Sequence, residues 1–218
     1  MKNIVISLLI IASVATLISS GIVANFSDTE SATDNTFTAG TLNLKVGAAD
    51  PCTETISVGN LKPTDAGNAA TWLAKNTGTI AGNLTVAVGV ITNDENTLYE
   101  VEADAGDVTE NAGELGVNLT IAFWMDVDKS DAWSSGDYYL KSDETKVVWD
   151  DEDVGLPTAA YATVYSYDSD IWTDTNAQNV AANTDAGKFR TEYDLPGATG
   201  NEVQSDDCEF TITFTLNQ

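Results

Sequence analysis

Phe210-Thr211-Ile212-Thr213-Phe214-Thr215-Leu216-Asn217 closes the chain with a strict alternation of apolar and polar residues. Successive side chains of a β-strand point to opposite faces, so this register gathers four apolar groups on one side and leaves Thr and Asn on the other. Such a strand is half-buried and needs a second layer to cover it. The same alternation recurs upstream. Leu42, Leu44 and Val46 alternate with Thr41, Asn43 and Lys45; Leu84, Val86, Val88 and Val90 with Asn83, Thr85, Ala87 and Gly89; Val117, Leu119, Ile121 and Phe123 with Asn118, Thr120 and Ala122. Turn formers punctuate these runs at 60–65, 76–78, 93–96 and 195–197. Many one-sided strands without a long 3.6-residue period predict an all-β chain folded as an antiparallel β-sandwich. Residues 128–185, rich in Asp, Ser, Tyr and Trp, read as an irregular insertion with a short helix around 159–167.

The opposite end is of another kind. After Met1 and Lys2 an apolar run from Ile4 to about Ile18 breaks at Gly21, reaches Ala24 and gives way to Asn25-Phe26-Ser27-Asp28. A basic start, an apolar stretch and small residues before a cut predict a signal peptide over 1–24, cleaved after Ala24. The same length of apolar chain also suits an uncleaved membrane anchor. Cleavage leaves 34 Asp and Glu against 8 Lys and Arg, a net charge of −26. Such a surface repels nucleic acid and anionic lipid, so neither nucleic acid nor, after processing, membrane is expected as a partner. Either solubility in a salty medium or the gathering of cations accounts for it.

Cys52 and Cys208 are the two cysteines. Outside the cell two thiols in one domain usually pair, and a Cys52–Cys208 disulfide is expected; two buried free thiols are the alternative.

Three separated stretches resemble the TasA/camelysin family of secreted fibre-forming proteins with SipW-type signal peptides. They are Phe26-Ser27-Asp28-Thr29-Glu30 with 35–44 (NTFTAGTLNL), then 56–65 (ISVGNLKPTD) with Asn76-Thr77-Gly78, and Leu195-Pro196 with Asn201-Glu202, Gln204 and the closing Phe210–Phe214 alternation. Residues 91–190 carry no such match. The resemblance implies a jelly-roll-like sandwich over 41–218 that assembles into extracellular filaments or biofilm matrix, with residues 25–40 donated as a strand to the next copy. That segment carries Asn25, Phe26, Ser27, Asp28, Phe37 and Ala39, has no Pro, and is freed when the signal is cut. An unpaired sheet edge offers backbone donors and acceptors that a neighbour's extended segment satisfies. The contact is then head-to-tail and propagates, so the expected partners are further copies of the chain and a signal peptidase. The alternative is that 25–40 folds back as the chain's own first strand. Assembly of bodies charged −26 is expected to be favoured by salt or divalent cations.

Some relatives are described as metallopeptidases, which makes catalysis a question. The chain has no His, hence no HExxH helix and no imidazole for zinc or a nucleophilic triad. No catalytic residue is assigned, no enzymatic activity is expected, and no cofactor is expected apart from calcium. Asp126, Asp128, Ser130 and Asp137 fall at positions 1, 3, 5 and 12 of an EF-type loop, although position 6 is Asp131 where Gly is usual and the last ligand is Asp where Glu is usual. A solvated acidic turn is the plainer reading of the same residues. Asn25, Asn83 and Asn118 begin Asn-x-Ser/Thr triplets, glycan acceptors or simply the product of alternation. The aromatic residues between Trp124 and Trp172 suit the core and rim of the insertion, or a binding groove. The expected function is a structural subunit of an extracellular filament. A monomeric, calcium-stabilised adhesion or binding domain and a secreted metallopeptidase are the competing readings.

Overall fold

The computed structural model describes residues 3–7, 40–48, 53–97, 99–107, 113–149, 155–173 and 179–218. The chain divides into two units, 1–39 and 40–218. In the first, residues 3–7 are helical and exposed. The cleavage site at Ala24, the donor residues 25–39 and Cys52 lie outside the described residues. Among the described residues no helix is long and apolar enough to cross a membrane.

The second unit is a sandwich of two antiparallel sheets. One has the order β1 (Leu44–Val46), β3 (Ala66–Asn76), β12 (Thr184–Asp194), β6 (Thr120–Asp126), β7 (Tyr138–Leu140), β8 (Lys146–Val148), with β9 (Ala162–Thr163) also on β6. The other runs β10 (Ile171–Trp172), β4 (Gly82–Val88), β13 (Asp207–Asn217), β2 (Thr53–Gly59), with β11 (Asn179–Val180) on β4 and β5 (Thr92–Asp94) on β13. The alternation of 210–217 does what it predicts: Phe210, Ile212 and Phe214 are buried between the sheets, and β13 is central to its own.

Phe123 sits at the middle of the core. Its ring meets those of Tyr167 at 4.9 Å, Phe189 and Phe210 at 6.0 Å and Trp172 at 6.2 Å, edge-on in every pair but that with Phe189. Strand β6 is buried on both faces. Ile121, Phe123 and Met125 face the other sheet, while Ala122 and Trp124 are covered by Trp133, Tyr139 and Ala160. Of the mid-chain tryptophans and tyrosines, Tyr138, Tyr167 and Trp172 therefore belong to the main core, and Trp124, Trp133, Tyr139, Trp149 and Tyr161 to this second layer, while Tyr165 is exposed.

Several elements differ from expectation. The insertion, read as irregular, adds β7, β8 and β9 to one sheet and β10 and β11 to the other. The helix expected near 159–167 is two 3-10 turns, Thr158–Ala160 and Val164–Tyr167, flanking β9. Residues 115–118 form one helical turn, not the start of β6, so Val117 is exposed where a core position was expected. The cause is Asp206, whose Oδ2 accepts the backbone N–H groups of Glu114 (2.5 Å) and Leu115 (2.9 Å) and so holds the first donors of that turn.

The three stretches that carry the resemblance are bonded to one another. Thr77 and Thr79 N–H donate to the carbonyls of Asn43 and Thr41, at 2.7 and 2.8 Å. Buried Asn76 accepts from Gly78 N–H and donates to the Ile80 and Val180 carbonyls. Gly78 is required there, since a Cβ would stand 2.8 Å from Asn43 N. At the far end of β3, Thr64 N–H donates to the Leu195 carbonyl and Leu195 N–H to that of Asp65. The chain thus enters the sandwich at Gly40, beside the Asn76 end of β3.

Candidate functional site

Strand β6 ends at Asp126 and β7 begins after Asp137, and the loop between them folds around its own carboxylates. Asp126, wholly buried, accepts Ser130 N–H at Oδ1 (3.0 Å) and Asp131 N–H at Oδ2 (2.9 Å). Asp137, also wholly buried, accepts Val127 N–H at Oδ1 (2.8 Å) and both Ser134 N–H (2.8 Å) and Ser134 Oγ–H (3.1 Å) at Oδ2. Asp128 accepts from Ser130 N–H, and its Oδ2 competes with Asp137 Oδ2 for the one Ser134 Oγ proton, 3.1 Å from each. One oxygen from each of Asp126, Asp128 and Asp137 lies within 4.8 Å of the others. The fold thus brings three of the four expected residues together. Ser130 is the exception: its hydroxyl turns to the Ala132 carbonyl at 3.0 Å, and Ser134 is the hydroxyl that reaches the cluster.

Asp131 adopts the left-handed conformation, φ 63°, that an EF-type loop normally assigns to Gly. Its carboxylate points outward to Lys188 Nζ (2.7 Å) and Arg190 Nη1 (2.9 Å) on β12, pinning the loop to the sheet face. Arg190 in turn lies over the Trp124 ring at 5.0 Å. The cations beside Asp131, led by the Lys188 hydrogen bond, hold its carboxyl below the ordinary range. Burial, with the Asp126 charge as a lesser cause, pushes that of Asp137 up. Each oxygen of these two buried carboxylates accepts an N–H, and the lone pairs that remain beside Asp128 suit a hard divalent cation.

Along the other edge of the molecule, β3 is paired on both sides unequally. Strand β12 accompanies it from Ala66 to Asn76, but β1 covers only Ala74–Asn76, with one further bond from Gly47 N–H to the Leu73 carbonyl. From Ala66 to Trp72 no strand among the described residues lies along that edge. Ala69, Ala70 and Trp72 remain half-buried there, with Trp72 stacked on Phe189 at 6.4 Å. Strand β2 ends the other sheet close to β3, so the outer edges of both sheets border one seam.

Residues 1–218 match a family model described as camelysin metallo-endopeptidase. The chain belongs to the camelysin family. No curated protein and no solved structure gives a significant match. Unlike a zinc peptidase of the HExxH kind, this camelysin-family chain contains no His, and the metal-capable clusters among its described residues are wholly carboxylate.

The remaining expected sites fare differently. Cys208 is a free, buried thiol whose Sγ–H faces Asn93 Oδ1 at 3.3 Å, and burial pushes it up to about 12. The expected bridge partner, Cys52, lies outside the described residues. Asn83 lies on the outer face of β4 with Oδ1 accepting from Asn179 Nδ2. Asn118 is not on a strand face: its Nδ2 donates to the Glu114 carbonyl within the helical turn. Sequence reading missed a further group, Glu95, Glu102, Asp107, Glu114 and Asp206, which share no local spacing yet meet in the fold.

Proposed function

We propose that this chain is a structural subunit of an extracellular filament, in which residues 25–40 of one copy add as a strand to the β3 edge of the next. The half-covered edge of β3 is the observation that carries this reading, and family membership supports it. Backbone groups between Ala66 and Trp72 call for a strand partner, and an incoming segment would extend the short β1 line. Phe26, Phe37 and Ala39 supply side chains to cover Ala70 and Trp72. The chain enters its own sandwich at the Asn76 end of β3, whereas the vacancy lies toward Ala66, which favours filling by another copy and hence head-to-tail growth. The protein is read as secreted and non-enzymatic, with Ca²⁺ held at Asp126, Asp128 and Asp137 to stiffen the β6–β7 loop. Negative-stain microscopy of the purified protein tests the assembly. Filaments that disappear on deletion of 25–36 support it, and monomers before and after deletion refute it.

A further inference from the structure

Around Ser205 three chain segments bring carboxylates together with too few protons between them. Glu95 follows β5, Glu102 lies in the helix Glu100–Ala105, and Asp206 immediately precedes β13. One oxygen from each lies within 4.8 Å of the others, and Glu95 forms a second such group with Asp107 and Glu114. Glu102 and Asp206 are wholly buried.

The polar inventory does not close. Ser205 Oγ has one proton, yet three acceptors surround it: the Thr97 carbonyl at 2.7 Å and Glu95 Oε1 and Glu102 Oε1 at 3.1 Å each. Asp206 spends Oδ2 on the N–H groups of Glu114 and Leu115, while its buried Oδ1 has no hydrogen-bond partner; the same holds for Glu95 Oε2. Buried acceptors are normally satisfied, so these oxygens await a positive group. Burial pushes the Asp206 carboxyl up to about 7, with the neighbouring Glu95 adding to the rise. Other parts of the cluster are held by the backbone. Glu102 Oε2 accepts Tyr99 N–H at 2.5 Å in a capping box, and Ser205 stands at φ 72°.

We propose that Glu95, Glu102 and Asp206 hold a Ca²⁺ ion, distinct from the β6–β7 loop, that ties the segment after β5, the helix Glu100–Ala105 and the start of β13 into one corner. An all-oxygen set of hard carboxylates selects Ca²⁺ over zinc, and Ca²⁺ accepts an irregular shell completed by water where Mg²⁺ demands a near-ideal octahedron. Bound there, the ion accepts Asp206 Oδ1 and Glu95 Oε2 and relieves the crowding at Ser205.

Equilibrium dialysis of the purified protein against Ca²⁺ at pH 7.5, with Mg²⁺ in a parallel set, counts the ions. Glu95→Gln with Glu102→Gln is expected to bind one Ca²⁺ fewer than the unaltered protein and to be at least as stable as it in chelator. The unaltered protein is expected to gain about 5–10 °C in unfolding midpoint at a hundredfold excess over Kd, more than the double variant gains. Hydrogen exchange of the unaltered protein needs no variant: Ca²⁺ is expected to slow exchange across 93–107 and 201–207. An unchanged ion count in the variant, or exchange in those segments indifferent to Ca²⁺, overturns the site and leaves a proton shared between Asp206 and Glu95 as the account of the cluster.

Discussion

Val127 donates its backbone N–H to Asp137 Oδ1 at 2.8 Å, so the residue just past β6 is fastened to the residue just before β7. The other Asp137 oxygen holds Ser134, while buried Asp126 holds the middle of the loop at Ser130 and Asp131. Asp137→Ala leaves the Val127 and Ser134 N–H groups without their acceptor, while the Ser134 hydroxyl keeps Asp128 Oδ2. It is expected to lower unfolding stability by about 2–4 kcal/mol in urea titration, with Asp137→Asn losing less. Equal stability of Asp137→Ala and the parent would show that the loop closes by other means.

Calcium at the same loop has its own test. Asp126→Ala with Asp128→Ala is expected to remove one bound Ca²⁺ in equilibrium dialysis and to reduce the rise in melting temperature that millimolar Ca²⁺ gives the parent. A variant that binds and responds as the parent does would leave this loop a solvated acidic turn.

Strand β12 changes register against β3 between Asp185 and Gly187. At Gly187 the backbone has φ +140°, and a Cβ would lie 2.7 Å from the Asp126 carbonyl oxygen. Backbone opposes backbone here, so no side chain can move aside. Gly187→Ala is expected to destabilise by about 2–3 kcal/mol, measured by chemical denaturation.

Asp170 gives a pH dependence of unusual sign for a carboxylate. Burial, then the charges of Glu144, Asp168 and Asp143, push it up to about 6 from an ordinary 3.8. Between about pH 4 and 6 the folded chain holds a proton that the unfolded chain has released, so this contribution falls as pH rises and is gone above the folded value. Asp170→Asn is expected to remove that slope relative to the parent and to raise stability at pH 7 by about 1 kcal/mol after solvent screening. Parallel stability curves from pH 3.5 to 7.5 would contradict it.

Thiol chemistry distinguishes a free Cys208 from the disulfide that export suggests. Two reactive thiols are expected in denaturant without reductant, and Cys208 is expected to be silent in the folded protein because its thiol is buried and hard to ionise. A single band shift on reduction, with no thiol titrated beforehand, would restore the bridge.

Alternation made much of this fold legible, since 210–217 and 84–88 report their faces directly through apolar and polar side chains. The central strand of the larger sheet escaped notice. In β12 the outward positions Lys188, Arg190 and Glu192 flank Thr191, whose hydroxyl hides a wholly buried site. Strand β3 is built largely of small residues, with little contrast between its faces. Strand β6 is legible as a strand but not as one buried twice, because Trp124 meets Trp133 only after the chain doubles back. Three of the loop ligands share a short stretch and could be read together. The cluster at Asp206 could not, as its members lie as far apart as Glu95 and Asp206 and are brought together by β5 pairing with β13.

The most direct test of strand donation is a cryo-electron microscopy reconstruction of the assembled protein at a resolution that traces side chains. The account requires an extended segment from residues 25–40 of a neighbouring copy hydrogen-bonded along Ala66–Trp72 of β3, with its apolar side chains over Ala70 and Trp72. Finding that segment folded against its own sandwich, or that edge bare in the filament, would contradict it.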